Sequence, residues 1–379
     1  MREGATYIGN TGFGYGDSDL IAYSERLMSY FVEELGYNGA GTPSVGQALL
    51  RAKQRYFNSA AAGTLSNYDE KVMGIATLYG LPMRAVQMPN PSNEPPGGRS
   101  ITASSQPQPQ AAGVTSSTVR LDLNYLANNQ PGLGRYDSIV GEDDLQVMAG
   151  RPILPRTSRD ISLEGSLAHG VLLSGAEFSD EPSFDPLISR VVTDELRLES
   201  EPTFATASWF PSRVTSINRF ISLDGTTRER LVVVPAQFLA TTNTTPTLGV
   251  QRRYSRLDMV VYHAPFANTD FSAPNVSTVT AASSRSGIAI QVVVNDAEGE
   301  IQRVVVLYRQ AGSAWQSADL AYSAATSSAI GTLLGSGSFE YIVQAVDGAG
   351  NVGLALDGGL PFSATSLDQL KVYAPMLVR

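Results

Sequence analysis

The chain has 379 residues, a formal net charge of −9 at pH 7 and no cysteine. The length suggests two or three domains. The acidic balance argues against a nucleic-acid partner or an anionic membrane surface, because both bind basic patches. Without cysteine the chain forms no disulfide and offers neither a thiol nucleophile nor a thiolate metal ligand. Its two histidines, His169 and His263, are too few for a histidine-rich metal centre.

The sequence carries no pattern for membrane insertion or export. No apolar run approaches the ~20 residues that a membrane-spanning helix needs. The first ten residues, MREGATYIGN, lack a basic segment followed by an apolar one, so they predict no signal peptide. We therefore expect no membrane span in this chain.

Residues 1–89 have the pattern of an α/β domain. Thr6–Ile8 predicts a short strand, and a glycine-rich loop then leads into a helical pattern. Asp17 or Ser18 is expected to cap this first helix. Gly36 is expected to end it. Its apolar stripe comprises Leu20, Leu27, Phe31 and Leu35.

Two further helices are expected in the same segment. Ser44 and Gln47 have the spacing of a capping box at the start of the second helix. Its buried face is expected to comprise Val45, Ala48, Leu49, Ala52 and Tyr56. The third helix is predicted over NYDEKVMGIATLYG, with Gly80 as its stop and with Val72, Ile75 and Tyr79 facing inward. The following LPMRAVQM predicts a strand.

The composition changes after Pro89. Residues 90–117 are rich in Pro, Ser, Gln and Gly, cannot bury a core and are expected to be a linker. Residues 118–265 alternate apolar and polar positions between turn residues, which predicts a β-sandwich. Residues 266–360 repeat this pattern in a smaller unit, which predicts an immunoglobulin-like or fibronectin-III-like domain. Residues 361–379 are expected to be a C-terminal tail.

The smaller predicted sandwich contains two marked patterns. Residues 286–310 predict two strands joined by an acidic turn at Asn295–Gly299. Phe339, Tyr341, Val343 and Ala345 alternate and are expected to face one side of a strand. Trp315 and Tyr341 are expected to be core residues.

The glycines at positions 9, 12, 14 and 16 raise the question of a nucleotide site. A dinucleotide fingerprint needs G-x-G-x-x-G and an acidic residue at the end of a second strand. Here the order is G-x-x-G-x-G-x-G, Asp17 follows Gly16 directly, and Glu33 and Glu34 lie within a predicted helix. No Gly-Lys-Ser/Thr follows, so there is no P-loop either. A tight strand-to-helix turn is the simpler interpretation.

The first segment resembles gingipain-like cysteine peptidases, whose catalytic domain has a caspase-like α/β fold. GATYIGNTGFGYG resembles the strand and loop that follow the nucleophile strand in that family. YFVEELGYNGAGTPSVGQALLRAKQRYF resembles its next two helices, and YDEKVMGIATLYGLPMRAV its closing helix and strand. Leu81 stands where the family has Asp.

The resemblance extends into the predicted β-sandwich of residues 118–265. Gly150–Pro155 and Val234–Gln237 resemble two segments of the family's β-rich prodomain. That domain usually precedes the catalytic one, whereas here it follows. The resemblance implies a multidomain protein: the C-terminal part of a caspase-like α/β domain and two all-β immunoglobulin-like sandwich domains.

The resemblance also implies what this chain lacks. A caspase-like peptidase needs a thiolate nucleophile and a histidine base at the ends of neighbouring strands, and both strands are expected upstream of Met1. The loop after the nucleophile strand lines the substrate pocket in such folds. Asn10, Thr11, Tyr15 and Asp17 are therefore candidates for a substrate rim, where Asp17 would select a basic side chain. The alternative for Asp17 is a helix cap.

The rest of the chain offers few candidates for chemistry. Asp296, Glu298, Glu300 and Asp347 cluster in the predicted small sandwich and suggest a calcium site, since calcium prefers oxygen ligands. The alternative is a set of solvated turn acids. His169 is expected to be a structural residue at a strand start, and His263 a strand residue. G-x-S-x-G, H-E-x-x-H and the EF-hand pattern are all absent.

Three functions follow from these patterns. The first is a C-terminal fragment of an exported, extracellular or cell-surface peptidase, which acts on a polypeptide substrate only when completed by a catalytic half. The second is a non-enzymatic adhesion or structural protein with a cell-surface ligand. The third is a carbohydrate-binding module, for which Trp209 and Phe210 are the candidate exposed aromatic residues.

Overall fold

The protein is mostly β, with three helices among the residues that the structure describes. The computed structural model describes residues 6–17, 20–38, 41–59, 66–91, 113–142, 144–192, 203–221, 227–284, 286–297 and 299–366. The helices are α1 (Tyr23–Gly36), α2 (Val45–Ser59) and α3 (Asn67–Ile75), and a short 3-10 helix covers Ala324–Thr326.

The strands are β1 (Tyr7–Asn10), β2 (Gly16–Asp17), β3 (Ala76–Tyr79), β4 (Thr115–Asp122), β5 (Tyr125–Gln130), β6 (Gly134–Ile139), β7 (Leu145–Gln146), β8 (Leu154–Pro155), β9 (Thr157–Asp160), β10 (Ser166–Phe184), β11 (Val191–Val192), β12 (Thr215–Ile221), β13 (Thr227–Val233), β14 (Ala236–Ala240), β15 (Gly249–Pro265), β16 (Asn275–Ser283), β17 (Gly287–Asn295), β18 (Ile301–Gln310), β19 (Trp315–Ser323), β20 (Ser328–Leu334), β21 (Ser338–Asp347), β22 (Val352–Ala355) and β23 (Phe362–Thr365).

The chain divides into two compact units. Unit 1 comprises Met1–Ala103, Asp122–Glu164 and Ser179–Ser255, and unit 2 comprises Ser104–Leu121, Gly165–Phe178 and Arg256–Arg379. These bounds differ from the expected ones at residues 89 and 265. The reason is that the helices share an apolar core with later residues of unit 1, namely Val147, Ile153 and Leu187.

The second helix follows its sequence pattern closely. Val45, Ala48, Leu49, Ala52 and Tyr56 are all buried, as predicted. Its capping box is present: the Ser44 N–H donates to Gln47 Oε1 at 3.1 Å, and the Gln47 N–H donates to Ser44 Oγ at 3.3 Å. The spacing of the two residues in the sequence was sufficient to predict this capping box, because both partners lie within one helical turn.

The first helix begins later than the sequence suggested. Its N-cap is Ala22, with no side-chain cap, so the expected capping by Asp17 is wrong. Leu27 is buried and Gly36 ends the helix, as predicted. Ser18 lies outside the described residues.

The third helix is shorter than predicted. It begins at the N-cap Ser66, whose side chain forms a capping box with Asp69, and it ends at Ile75. The next residues form β3, which pairs antiparallel with β1, so Tyr79 is exposed on a strand rather than inward on a helix. The β-branched Thr77 and the aromatic Tyr79 suit this pairing. Residues 81–88 form no strand, apart from an isolated bridge between Ser44 and Ala85.

The β segments of unit 1 form several small sheets. The largest has the order β12-β13-β9, and β5 pairs with β6, β7 with β8 and β2 with β11, all antiparallel. β14 pairs with the start of β15. Phe184, Ile188, Phe204 and Phe238 form one of the apolar clusters here.

Unit 2 contains a sandwich-like arrangement. One antiparallel layer has the order β16-β17-β20-β19, and another has the order β19-β18-β21-β22, with β23 also paired to β21. The predicted two strands around residues 295–299 are β17 and β18. The core between them contains Phe339, Tyr341, Val343 and Ala345, as the alternation predicted. Trp315 is also buried, as expected.

Two parts of the expected organisation lie largely outside the described residues. One is the linker of residues 90–117, although β4 begins within it at Thr115. The other is the tail of residues 361–379. No described helix has the length and apolar character that crossing a membrane requires.

Candidate functional site

The loop after β1 displays two of the predicted rim residues. Asn10, at the end of β1, and Thr11 are exposed. The Thr11 N–H donates to the carbonyl of Ile75 at 2.9 Å, which fixes the start of the loop against the end of α3. The two side chains are therefore presented to solvent on an anchored backbone.

Tyr15 closes the other end of this loop. Its N–H donates to Ser24 Oγ at 3.1 Å, and the Ser24 N–H donates to its carbonyl at 2.8 Å. The half-buried ring meets Tyr68 edge-on, with centroids 5.3 Å apart, and the Lys71 ammonium lies 5.6 Å from both ring centroids. Tyr15 thus combines an aromatic surface with a nearby cation.

Asp17 differs from the other predicted rim residues because it is buried. It pairs with Val191 in the β2–β11 ladder and is 8% exposed. Its Oδ2 accepts hydrogen bonds from the Ser189 hydroxyl at 2.8 Å and from the Arg190 N–H at 3.0 Å. Its carboxylate therefore anchors the loop to the segment at residues 189–190.

Tyr23 lies beside this anchor in a strained backbone conformation. Its φ is +52°, which is uncommon for a non-glycine residue. Its side chain is 2% exposed, and burial raises the pKa of its hydroxyl to about 12, with the carboxylates of Asp69 and Asp17 adding to the rise and the Ser189 hydroxyl opposing it. The first residue of α1 thus lies close to the buried carboxylates of Asp69 and Asp17.

Three aspartates converge in unit 2. One carboxylate oxygen from each of Asp270, Asp296 and Asp347 lies within 4.8 Å of the corresponding oxygens of the other two. Gly299 lies beside them, since a Cβ on it would be 3.2 Å from Asp296 Oδ2 and 3.3 Å from Asp270 Oδ2. Two of the four residues predicted for calcium, Asp296 and Asp347, are therefore brought together.

The other two predicted calcium residues do not join this group. Glu300 is exposed and is not one of the three converging acids, whereas Glu298 lies outside the described residues. Asp270 takes part instead, and sequence reasoning missed it. No spacing pattern links Asp270 to the other two, because Asp270 lies in the loop before β16, Asp296 in the turn after β17 and Asp347 at the end of β21.

The electrostatics of the three aspartates are those of a crowded acidic site. Burial raises the pKa of Asp347, hydrogen bonds from the Asn351 side chain and backbone lower it, and the neighbouring Asp270 carboxylate raises it further. Asn351 Nδ2 donates to Asp347 Oδ2 at 2.8 Å and to the Asp270 carbonyl at 3.1 Å. Calcium–oxygen distances of ~2.3–2.6 Å allow two ligand oxygens of one ion to lie up to about 5 Å apart, so the spacing fits such an ion.

The two histidines lie in strands of unit 2. His169 is near the start of β10 and its ring stacks on Phe271, with centroids 4.3 Å apart. His263 is in β15 and is 2% exposed. Their positions at a strand start and within a strand are those predicted.

Trp209 does not provide an exposed aromatic platform. It is 8% exposed, and the Arg252 guanidinium lies 4.2 Å from its ring centroid. Phe210 packs on Phe204 and Phe238. The expectation that these two residues form an exposed glycan-binding surface is therefore wrong.

Comparison with known proteins gives weak neighbours. No protein-family model and no curated protein matches this chain. The complex of the pro- and mature domains of RgpB from Porphyromonas gingivalis aligns at 18% identity with a TM-score of 0.30, covering 45% of this chain and 88% of that one. A β-1,2-glucanase from Parabacteroides distasonis aligns at 12% identity with a TM-score of 0.18, covering 68% and 38%. Neither TM-score establishes a shared fold.

Proposed function

We propose that this chain is a portion of an exported gingipain-like cysteine peptidase that lacks the catalytic cysteine and histidine. One observation carries the proposal: a strand, a glycine-rich loop and three helices follow one another in unit 1 in the order of the resembling sequence, yet the chain contains no cysteine. A thiol peptidase without a thiol has no nucleophile. The chain alone therefore does not hydrolyse peptides by the thiol mechanism of that family.

The positions of the histidines support the same conclusion. Both lie in unit 2, whereas the segment that resembles the peptidase lies in unit 1. His263 is buried within a strand, and the His169 ring is stacked on Phe271. A general base has to reach the proton that it abstracts, and neither histidine belongs to the loop that carries the candidate rim.

In this proposal the loop between β1 and β2 contributes the rim of the substrate pocket. Asn10 and Thr11 offer exposed polar groups, and Tyr15 offers an aromatic surface beside the Lys71 ammonium. Asp17 anchors the end of this loop, because its carboxylate accepts hydrogen bonds from the Ser189 hydroxyl and the Arg190 N–H. Selection of a basic substrate side chain by Asp17 stays a prediction. It requires the Asp17 carboxylate to break its hydrogen bonds to Ser189 and Arg190.

The β-rich remainder positions the enzyme outside the cell, at the surface or on its polypeptide substrate. The support is the β-rich, multi-sheet architecture together with the acidic, cysteine-free composition. Calcium is the cofactor proposed for the acids of unit 2. It would have a structural role, because the acids come from the loop before β16, the turn after β17 and the end of β21, which the ion would tie together.

The first test is mass spectrometry of the N-terminal peptides of the native protein from its producing cells. Peptides that extend upstream of Met1 and include a cysteine and a His-Gly pair are expected. A mature protein that starts near Met1 would overturn the peptidase assignment and leave a non-enzymatic adhesion protein.

A second test uses the purified 379-residue chain. We expect no hydrolysis of peptide substrates with arginine or lysine before the scissile bond, with or without a thiol-alkylating reagent. Hydrolysis that survives repurification would contradict the non-catalytic assignment, since no residue of the chain reacts as a thiol.

A further inference from the structure

Lys71 on α3 is an exposed cation that forms no salt bridge with a described residue. Side chains three and four positions away on a helix are the nearest partners for such a charge. For Lys71 these are Asn67, Tyr68, Gly74 and Ile75, and none of them is acidic. The ammonium is therefore available to an anionic ligand.

Two aromatic rings position this ammonium. Lys71 Nζ lies 5.6 Å from the ring centroids of both Tyr15 and Tyr68, and the two rings meet edge-on with their centroids 5.3 Å apart. The face of an aromatic ring attracts a cation over such a distance. The charge is thus held beside Tyr15, at one end of the loop between β1 and β2.

The other end of the loop is attached to the same helix. The Thr11 N–H donates to the Ile75 carbonyl at 2.9 Å, and Ile75 follows Lys71 by about one helical turn. The exposed Asn10 amide and Thr11 hydroxyl therefore belong to a loop that contacts α3 at both ends. Both groups can donate a hydrogen bond to a carboxylate.

The acids at this loop are less suited to select a ligand. The Asp17 carboxylate is buried and accepts hydrogen bonds from Ser189 and Arg190. Glu25 is exposed, and a Cβ on Gly16 would lie 3.2 Å from its Oε1, so it is the alternative selector, for a basic side chain. Of these three charged groups, Lys71 is the one that is both exposed and held beside the rings.

We propose that Lys71 selects an acidic side chain, aspartate or glutamate, of a polypeptide bound along this loop. The inference rests on the proposed function, because it takes the loop between β1 and β2 as the rim of a substrate pocket. The ammonium pairs with the carboxylate of the ligand, and Asn10 and Thr11 supply neutral donors. Phe13, which is 65% exposed, and Tyr15 supply apolar surface for the rest of the peptide.

The scarcity of lysine makes this ammonium directly observable. Lys53, Lys71 and Lys371 are the only lysines of the chain, so ¹³C-dimethylation of the full chain labels few side chains in an NMR spectrum. Methylation keeps the positive charge. The signal that disappears in Lys71→Arg belongs to Lys71. The probes are capped, alanine-rich peptides that differ only in a central Glu, Gln or Arg.

The Glu peptide is expected to shift the Lys71 signal. In fluorescence anisotropy with labelled peptides, it should bind about fivefold more tightly than the Gln peptide. The net charge of −9 favours the opposite order, with the Arg peptide bound best, so an acidic preference has to come from a local cation. Lys71→Gln should abolish the preference, whereas Lys71→Arg should retain it. Arg213→Gln, which removes an exposed positive charge outside the loop, should also retain it.

Several results would overturn the role of Lys71. They are equal affinities for the Glu and Gln peptides, no binding of any peptide, an unchanged Lys71 signal, or a preference that survives Lys71→Gln. Tighter binding of the Arg peptide that is lost in Glu25→Gln would assign the selection to Glu25 instead.

This test is independent of the peptidase assignment. Native peptides upstream of Met1 with a cysteine and a His-Gly pair, together with no preference for the Glu peptide, would keep that assignment and remove only the role of Lys71. An acidic preference in a protein whose mature form starts near Met1 would keep the binding site and remove the peptidase assignment.

Discussion

The hydroxyl of Tyr56 on α2 donates a 2.6 Å hydrogen bond to Oδ1 of Asp69 on α3, and both side chains are buried. The other carboxylate oxygen accepts the N–H of Ser66 at 2.9 Å and also the Ser66 hydroxyl. One carboxylate therefore caps α3 and ties it to α2, which holds the helices behind the candidate rim.

Replacing Tyr56 with Phe is expected to lower the free energy of unfolding by about 2 kcal/mol, because the buried Asp69 carboxylate loses a donor. Urea denaturation measures the change. Tyr23→Phe is the control, since the Tyr23 hydroxyl is equally buried and lies near the Ser189 hydroxyl, but makes no hydrogen bond of normal geometry to a described residue. That variant should change stability by less than about 0.5 kcal/mol or increase it. Equal losses in the two variants would contradict the assigned role of Asp69.

Calcium is expected to raise the melting temperature of the full chain by roughly 3 to 8 °C relative to the same protein in chelator. The reason is that three carboxylates within 4.8 Å repel one another until a cation is shared. Asp296→Asn should abolish most of the shift, whereas Glu300→Gln should retain it. A melting temperature that calcium leaves unchanged would refute the predicted site.

The free energy of unfolding in chelator is expected to fall as the pH rises through the titration of Asp347. Its folded-state pKa lies above the ordinary value of 3.8, chiefly because of burial, so the folded protein retains the proton to higher pH than the unfolded chain. Stability therefore decreases from about pH 3.8 up to the folded pKa and stays lower beyond it.

Asp270→Asn should reduce this fall, because it removes the neighbouring carboxylate that raises the pKa of Asp347. Urea denaturation across the acidic range compares the slopes of the variant and the wild type. Glu300→Gln serves as the control for loss of a charge outside the three aspartates. If Asp270→Asn leaves the slope unchanged, the two carboxylates do not interact as described.

Trp209→Ala is expected to destabilise the protein by about 3 to 4 kcal/mol, because it opens a cavity and removes the ring under the Arg252 guanidinium. Thermal denaturation measures the loss, and Trp209→Phe should lose less. We do not expect Trp209 to contribute to any glycan binding by the wild-type protein. A well-folded Trp209→Ala protein that specifically loses glycan binding would restore the carbohydrate-binding hypothesis.

The helices show which features local sequence patterns can predict and which they cannot. The capping box of Ser44 and Gln47 and the buried face of α2 were predictable because every partner lies within a few residues. The end of α3 was not predictable in this way. Residues 76–79 continue a helical pattern, yet they form β3 because a strand some seventy residues earlier pairs with them. Such pairing overrides propensity.

The candidate site likewise contains features that the sequence predicted and features that depend on distant segments. Asn10 and Thr11 are exposed on the loop that the sequence indicated, but the burial of Asp17 depends on Ser189 and Arg190, more than 170 residues away. Likewise Asp296 and Asp347 were candidates from their turns, whereas Asp270 joins them only because separate loops meet at one end of a layer.

The sequence by itself determined the absence of thiol chemistry, the acidic balance, the β-rich character of the residues after the linker and the helix α2, since these follow from composition and from contacts within a turn or a pleat. The tertiary structure decided which acids converge and which aromatic residues are buried. Those features depend on pairing between distant segments, and the free energy of burying their shared surface is not encoded in any one segment.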